Sequence, residues 1–174
     1  MYPQEQVKTN LKDLLIVLGL FGVIGAYLLG ALANDDLLWF LPFFNETPAQ
    51  IVVYRDGCRA VLTPTDAGFA ELASALNQVL SQIDGYEPGF GLAPDSRQQY
   101  IKQWRALEVT YPKRIKIHVV FRFGSPDTLF IPLNEYFGDA RAVFGGIGGD
   151  YWASALRLKT IEPLQRAAEQ IQCR

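Results

Sequence analysis

LLIVLGLFGVIGAYLLGALA, residues 14–33, carries no charge, no proline and no strongly polar side chain. These twenty residues, at a helical rise of about 1.5 Å each, span about 30 Å, the thickness of a bilayer's hydrocarbon core. In lipid every backbone amide needs a partner inside the segment, so the run is predicted to form one transmembrane helix. A helix buried in a soluble protein is a poor alternative. The run is apolar on all faces and precedes any sheet that could enclose it.

The flanks predict orientation. Lys8 and Lys12 precede the run, Asp35 and Asp36 follow it, and the next basic residue is Arg55. Basic residues stay on the cytoplasmic side, so residues 1–13 read as a cytoplasmic tail and everything after the helix as exported. A cleaved signal peptide is the rival: Ala31-Leu32-Ala33 fits the A-x-A cleavage pattern and would leave Asn34 as the new terminus. The run is longer than the roughly 7–15 residues of a signal-peptide core. The mature start would also be NDDLLWFLPFF, an oddly apolar terminus. With a retained anchor the same residues make sense, because Trp39, Phe40, Phe43 and Phe44 then fall at the headgroup level, where such rings collect. A single-pass signal-anchor in the cell membrane is therefore expected, followed by an interfacial aromatic segment and linker over 34–50 and an exported domain over 51–174. Asn45-Glu46-Thr47 matches a glycosylation acceptor but is followed directly by Pro48, and it is read as chance.

Within the helix Gly22, Ala26 and Gly30 recur every four residues. Such a stripe lets two membrane helices approach closely, which a simple tether does not need.

The whole chain has 174 residues, 49% of them apolar and 20% charged, with a net charge of −2. That is enough for an anchor and one packed domain, and it lacks both the polarity of a disordered chain and the basic excess that nucleic-acid binding requires. Residues 51–62 read as a hairpin, IVVYR and CRAVL around Asp56-Gly57, a pair suited to a type I′ turn. Thr63 to Asp66 offers a helix cap, and Phe69, Leu72, Ala73, Leu76, Val79, Leu80 and Ile83 then fall at the spacing of one helical face. Three glycines and two prolines make residues 84–94 a predicted loop, followed by a short helix over 95–106. Residues 107–111 and 115–123 are predicted to form a second hairpin, with Ile115, Ile117, Val119, Phe121 and Phe123 on one face. Further strands are expected at 128–133, 141–144 and 154–159, and a last helix over 161–172 capped by Thr160. The sum is an α+β fold: an antiparallel sheet of five to seven strands with two or three helices on one face.

The single histidine, His118, lies mid-strand in this reading, on a face shared with Lys116 and Arg122. A general base needs an orienting carboxylate or a nucleophile within reach, which only another strand could supply. No G-x-S-x-G, H-E-x-x-H or Walker pattern occurs. Residues 145–153, GGIGGDYWA, match one copy of GGxGxDxUx and so resemble the calcium-binding nonapeptide of RTX proteins. That motif holds metal only where stacked repeats supply the remaining oxygens, so residues 145–149 are read instead as a flexible or tightly bent strand connection. Arg105, Lys113, Arg114, Lys116 and Arg122 belong to a stretch from Arg97 to Arg122 with seven bases and one acid, Glu108. They form a candidate basic patch for lipid headgroups or an acidic partner. Cys58 and Cys173 are the only cysteines and are expected to pair in an exported domain.

These features predict a non-enzymatic, membrane-anchored accessory or assembly subunit, with no catalytic, cofactor or metal site. Its expected partners are the lipid bilayer and other membrane protein subunits, not nucleic acid. A ligand-binding or sensory domain walled by the glycine-rich loops is the alternative, and a hydrolase-like enzyme centred on His118 the third.

Overall fold

A computed structural model describes residues 10–134 and 141–172. The chain is an α+β fold: among the described residues, an apolar N-terminal helix is followed by one antiparallel sheet of seven strands with three further helices. The elements are α1 (Leu11–Asn34), β1 (Gln50–Arg55), β2 (Cys58–Leu62), α2 (Phe69–Leu80), β3 (Ile83–Pro88), α3 (Pro94–Gln103), β4 (Arg105–Thr110), β5 (Thr128–Pro132), β6 (Ala142–Ile147), β7 (Asp150–Leu158) and α4 (Glu162–Glu169). The sheet runs β2-β1-β4-β5-β6-β7-β3.

The alternation of each strand sorts its side chains onto two faces. Ile51, Val53, Leu107, Val109, Leu129, Ile131, Val143, Leu156 and Leu158 join one core with α2 and α4, through Leu72, Leu76, Val79 and Leu164. Val52, Tyr54, Ala106, Phe130, Phe144 and Ala155 join a second, smaller core with Tyr100 of α3. Two helices therefore cover one face and α3 the other. Most of these aliphatic side chains are almost fully enclosed, and each contributes about 1.5–3 kcal/mol by leaving water.

The first hairpin turns at Asp56 and Gly57, both at positive φ (53° and 84°), as the type I′ reading requires. It sets Arg55 opposite Cys58. The helical face read from Phe69 to Ile83 belongs to α2, with Ile83 already in the next strand. Its cap differs: Gly68 holds the N-cap position, and Asp66 closes its own turn by accepting from the Thr63 amide (2.6 Å) and hydroxyl (2.7 Å).

Three other expectations are corrected. Residues 84–94 are not all loop, because β3 pairs with β7 as an edge strand. An edge tolerates Pro88 at its end, and the register shift at Gly85 absorbs the glycine, so pairing outweighs turn-like composition. Residues 115–123 do not form a strand, because both edges of β4 are taken, by β1 and β5. Their alternation survives without a ladder: Ile115, Ile117, Val119 and Phe123 are buried, while Lys116, Val120 and Arg122 are exposed. Finally, the last helix starts one residue later than read, with Ile161 rather than Thr160 at its N-cap.

α1 extends the apolar run by three residues at its start, where the Asn10 side chain accepts from the Lys12 amide (3.3 Å). It is the one described helix long and apolar enough to cross a membrane. The rest of the chain covers almost none of it, and only Ala31 is buried.

Candidate functional site

The end of α1 and the domain meet in a defined joint. Asp35 terminates the helix in the left-handed conformation (φ 50°), which turns the chain back along its own helix. The Tyr27 hydroxyl donates to the Leu37 carbonyl (2.9 Å), and the Trp39 indole lies directly against Gly30. A side chain at Gly30 would meet that ring at 2.7 Å, so this glycine serves a contact within the chain. On the domain side, the Lys116 ammonium reaches both the carbonyl and the carboxylate of Asp35. Nδ1 of His118 lies 2.7 Å from Oδ2 of Asp36, and Phe43 packs on the imidazole with ring centroids 4.9 Å apart. Both members of the His118–Asp36 pair are shielded, with side chains only 14% and 11% exposed. The carboxylate that orients the histidine thus comes from the turn after α1.

The residues singled out in the sequence divide. Phe40 and Phe43 are half exposed beside the helix end, and Trp39 packs back onto it. Phe44 does not join them: it is buried in the domain core edge-on to Tyr111, and its amide donates to the Ser81 hydroxyl (2.8 Å). Gly22 has nothing within 4 Å, and Ala26 is exposed, so the stripe is open at these two positions and closed at Gly30. The basic patch also splits. Arg114, Lys116 and Arg122 share a cleft of about 250 Å³ with Asn34, Asp35 and Asp36, backed by Trp152. Lys113 pairs with Glu46 (3.8 Å). Arg105 sits at the opposite end of the sheet, paired with Asp56 and Glu169.

On the α3 face a second polar cluster escaped the sequence reading. The Glu108 carboxylate accepts from Arg97 (2.6 Å), the Tyr54 hydroxyl (2.8 Å) and the Tyr151 hydroxyl (2.8 Å). The Arg97 guanidinium also stands over the Tyr151 ring, 5.6 Å from its centroid. Burial pushes the Glu108 carboxyl upward, but the hydrogen bonds and the guanidinium charge outweigh it and hold the pKa below the usual carboxylate value. Burial and the neighbouring carboxylate push both phenols up. A carboxylate filled by three internal donors is a fastener for α3 rather than a free base. The one acid among seven bases was the available signal.

The glycine-rich run is a hairpin. β6 and β7 continue through it, and Gly148 and Gly149, both at positive φ (60° and 91°), form the two-residue turn. The Asp127 side chain accepts from the Gly148 amide (2.8 Å). Gly145 leaves room for the rings of Phe123 and Trp152, and Gly146 for the Asp150 backbone. Among the described residues no group of three or more His, Cys, Asp or Glu side chains could hold a metal ion. Cys58 is not a free thiol, and Cys173 lies outside the described residues.

No protein-family model matches the sequence, and no curated protein matches it. Among solved structures, the crystal structure of YycH from Bacillus subtilis is similar over 76% of this chain and 38% of that one, with 13% identity and a TM-score of 0.45. The chain thus spans well under half of YycH, and a likeness of that size says nothing about function.

Proposed function

We propose that the chain is a non-enzymatic, membrane-anchored accessory or assembly subunit, with α1 in the bilayer and the sheet domain on the extracytoplasmic side docking on a partner. One observation carries this reading: an apolar helix that its own chain leaves uncovered is joined to the domain by the shielded Asp36–His118 pair and the Asp35–Lys116 pair. Apolar surface on that scale requires lipid or other membrane helices. A joint held at several points transmits the position of the helix to the domain, which a flexible tether does not. His118, the centre of the hydrolase alternative, is engaged in that joint.

A ligand-binding or sensory domain is the second reading. A cavity of about 500 Å³ favours it, walled not by the glycine-rich loops but by Tyr54, Arg55 and Arg105 on one side and Gln165 and Ala168 of α4 on the other, within the size range of small-molecule sites. Extraction in mild detergent followed by native mass measurement tests the proposal. The subunit reading expects a stable complex with other membrane chains. A monomer that gains thermal stability from a small-molecule library favours the sensor.

A further inference from the structure

The cleft at the joint has a composition that neither the fold nor the helix anchor requires. It is about 250 Å³, too small for a large cofactor, and three cationic side chains reach it from the irregular segment after β4: Arg114, Lys116 and Arg122. Its two acids are already engaged, Asp35 by Lys116 and Asp36 by His118. Arg114 and Arg122 are exposed, and no hydrogen bond or ion pair among the described residues engages either guanidinium. Two unpaired guanidiniums beside one small cleft match the bidentate recognition of a phosphate group.

The location narrows the source of that phosphate. The cleft includes Asn34 and Asp35, which directly follow the apolar run of α1. Leu37, Phe40, Leu41 and Phe43, in the stretch that follows α1, are exposed as well. The apolar side chains belong at the boundary of the hydrocarbon, and the guanidiniums at the depth of the headgroups.

We propose that Arg114 and Arg122, in the cleft they share with Lys116, form a binding site for the headgroup phosphate of an anionic lipid. This rests on reading α1 as the membrane anchor and not on the presence of a partner subunit. A headgroup held there would fix the height and tilt of the domain above the bilayer.

The test uses the full chain in nanodiscs of phosphatidylcholine containing a minor fraction of phosphatidylglycerol, with native mass measurement after release. The wild type should retain phosphatidylglycerol in preference to phosphatidylcholine. The Arg114→Gln/Arg122→Gln variant should bind it about 30-fold more weakly, from about a fivefold share for each surface cation. Lys102→Gln/Lys159→Gln, the same charge change at exposed positions on the far end of the sheet, should leave retention unchanged, and circular dichroism should report the fold of both variants. A parallel titration with inorganic phosphate separates a headgroup site from a free-anion site. Equal retention of the two lipids, equal loss in both double variants, or capture of inorganic phosphate without retained lipid would each overturn the proposal. A chain that does not reconstitute into nanodiscs at all would instead refute the anchor reading.

Discussion

Nδ1 of His118 and Oδ2 of Asp36 lie 2.7 Å apart, across 82 positions of the chain, and nearly out of water. The contact fastens a segment of the domain to the turn that ends α1. Asp36→Asn or His118→Ala should each cost about 1–2 kcal/mol of domain stability, the usual loss for a shielded polar contact. Each should also open residues 34–50 to limited proteolysis. Denaturation in detergent and the cleavage pattern check this; a wild-type cleavage pattern in both variants would show that the joint is held elsewhere.

The Glu108 cluster makes a pH-dependent prediction. Its folded pKa is depressed below the ordinary value of about 4.5, so its contribution to stability is present above that pH and lost as pH falls through the lower folded value. Glu108→Gln should destabilise the domain by about 3 kcal/mol at neutral pH, because it leaves Arg97 shielded without its counter-charge. The gap between variant and wild type should close as pH drops below about 4.5. Parallel unfolding curves from pH 7 to pH 3 measure it.

The glycines of the β6–β7 hairpin should prove structural. Gly146→Ala would place a methyl 2.5 Å from the Asp150 carbonyl oxygen, so the hairpin must shift, at a cost of about 2 kcal/mol or more. Gly145→Ala meets side-chain rings first, those of Phe123 and Trp152, and should cost less, about 1–2 kcal/mol. Thermal unfolding ranks the two variants.

Cys58 and Cys173 are proposed to pair. The Arg55 guanidinium, opposite Cys58 in the hairpin, donates to the carbonyls of Glu169 (3.2 Å) and Ile171 (3.1 Å). The hairpin tip and the end of α4 are therefore at the same end of the sheet, which removes the geometric objection to a bridge. Non-reducing mass analysis of exported protein should show no free thiol. Reduction should cost up to about 4–5 kcal/mol, the chain-entropy value for so long a loop, and usually less in practice.

The fold was legible wherever one physical signal dominated. The apolar run, the Asp56-Gly57 turn and the helical spacing from Phe69 to Leu80 each depend on neighbours in sequence. What failed depended on distant partners. β3 exists because β7 offers it a ladder, and residues 115–123 lack one because β1 and β5 flank β4. The joint was invisible for the same reason: nothing near His118 announces Asp36, and nothing near Gly30 announces that Trp39 folds back to cover it.

If α1 packs in the membrane as part of an assembly, the open half of its small-residue stripe is where a neighbouring helix should lie. Gly22 and Ala26 face away from the chain, whereas a change at Gly30 would displace Trp39 and disturb the joint. Gly22→Leu/Ala26→Leu should therefore break close helix packing while leaving the domain folded. Native mass measurement of wild type and variant after mild extraction decides the matter. The wild type should be recovered in a complex with other membrane chains, and the variant should be released from it with unchanged domain circular dichroism. A wild type that extracts alone, or a variant that stays fully associated, would contradict it.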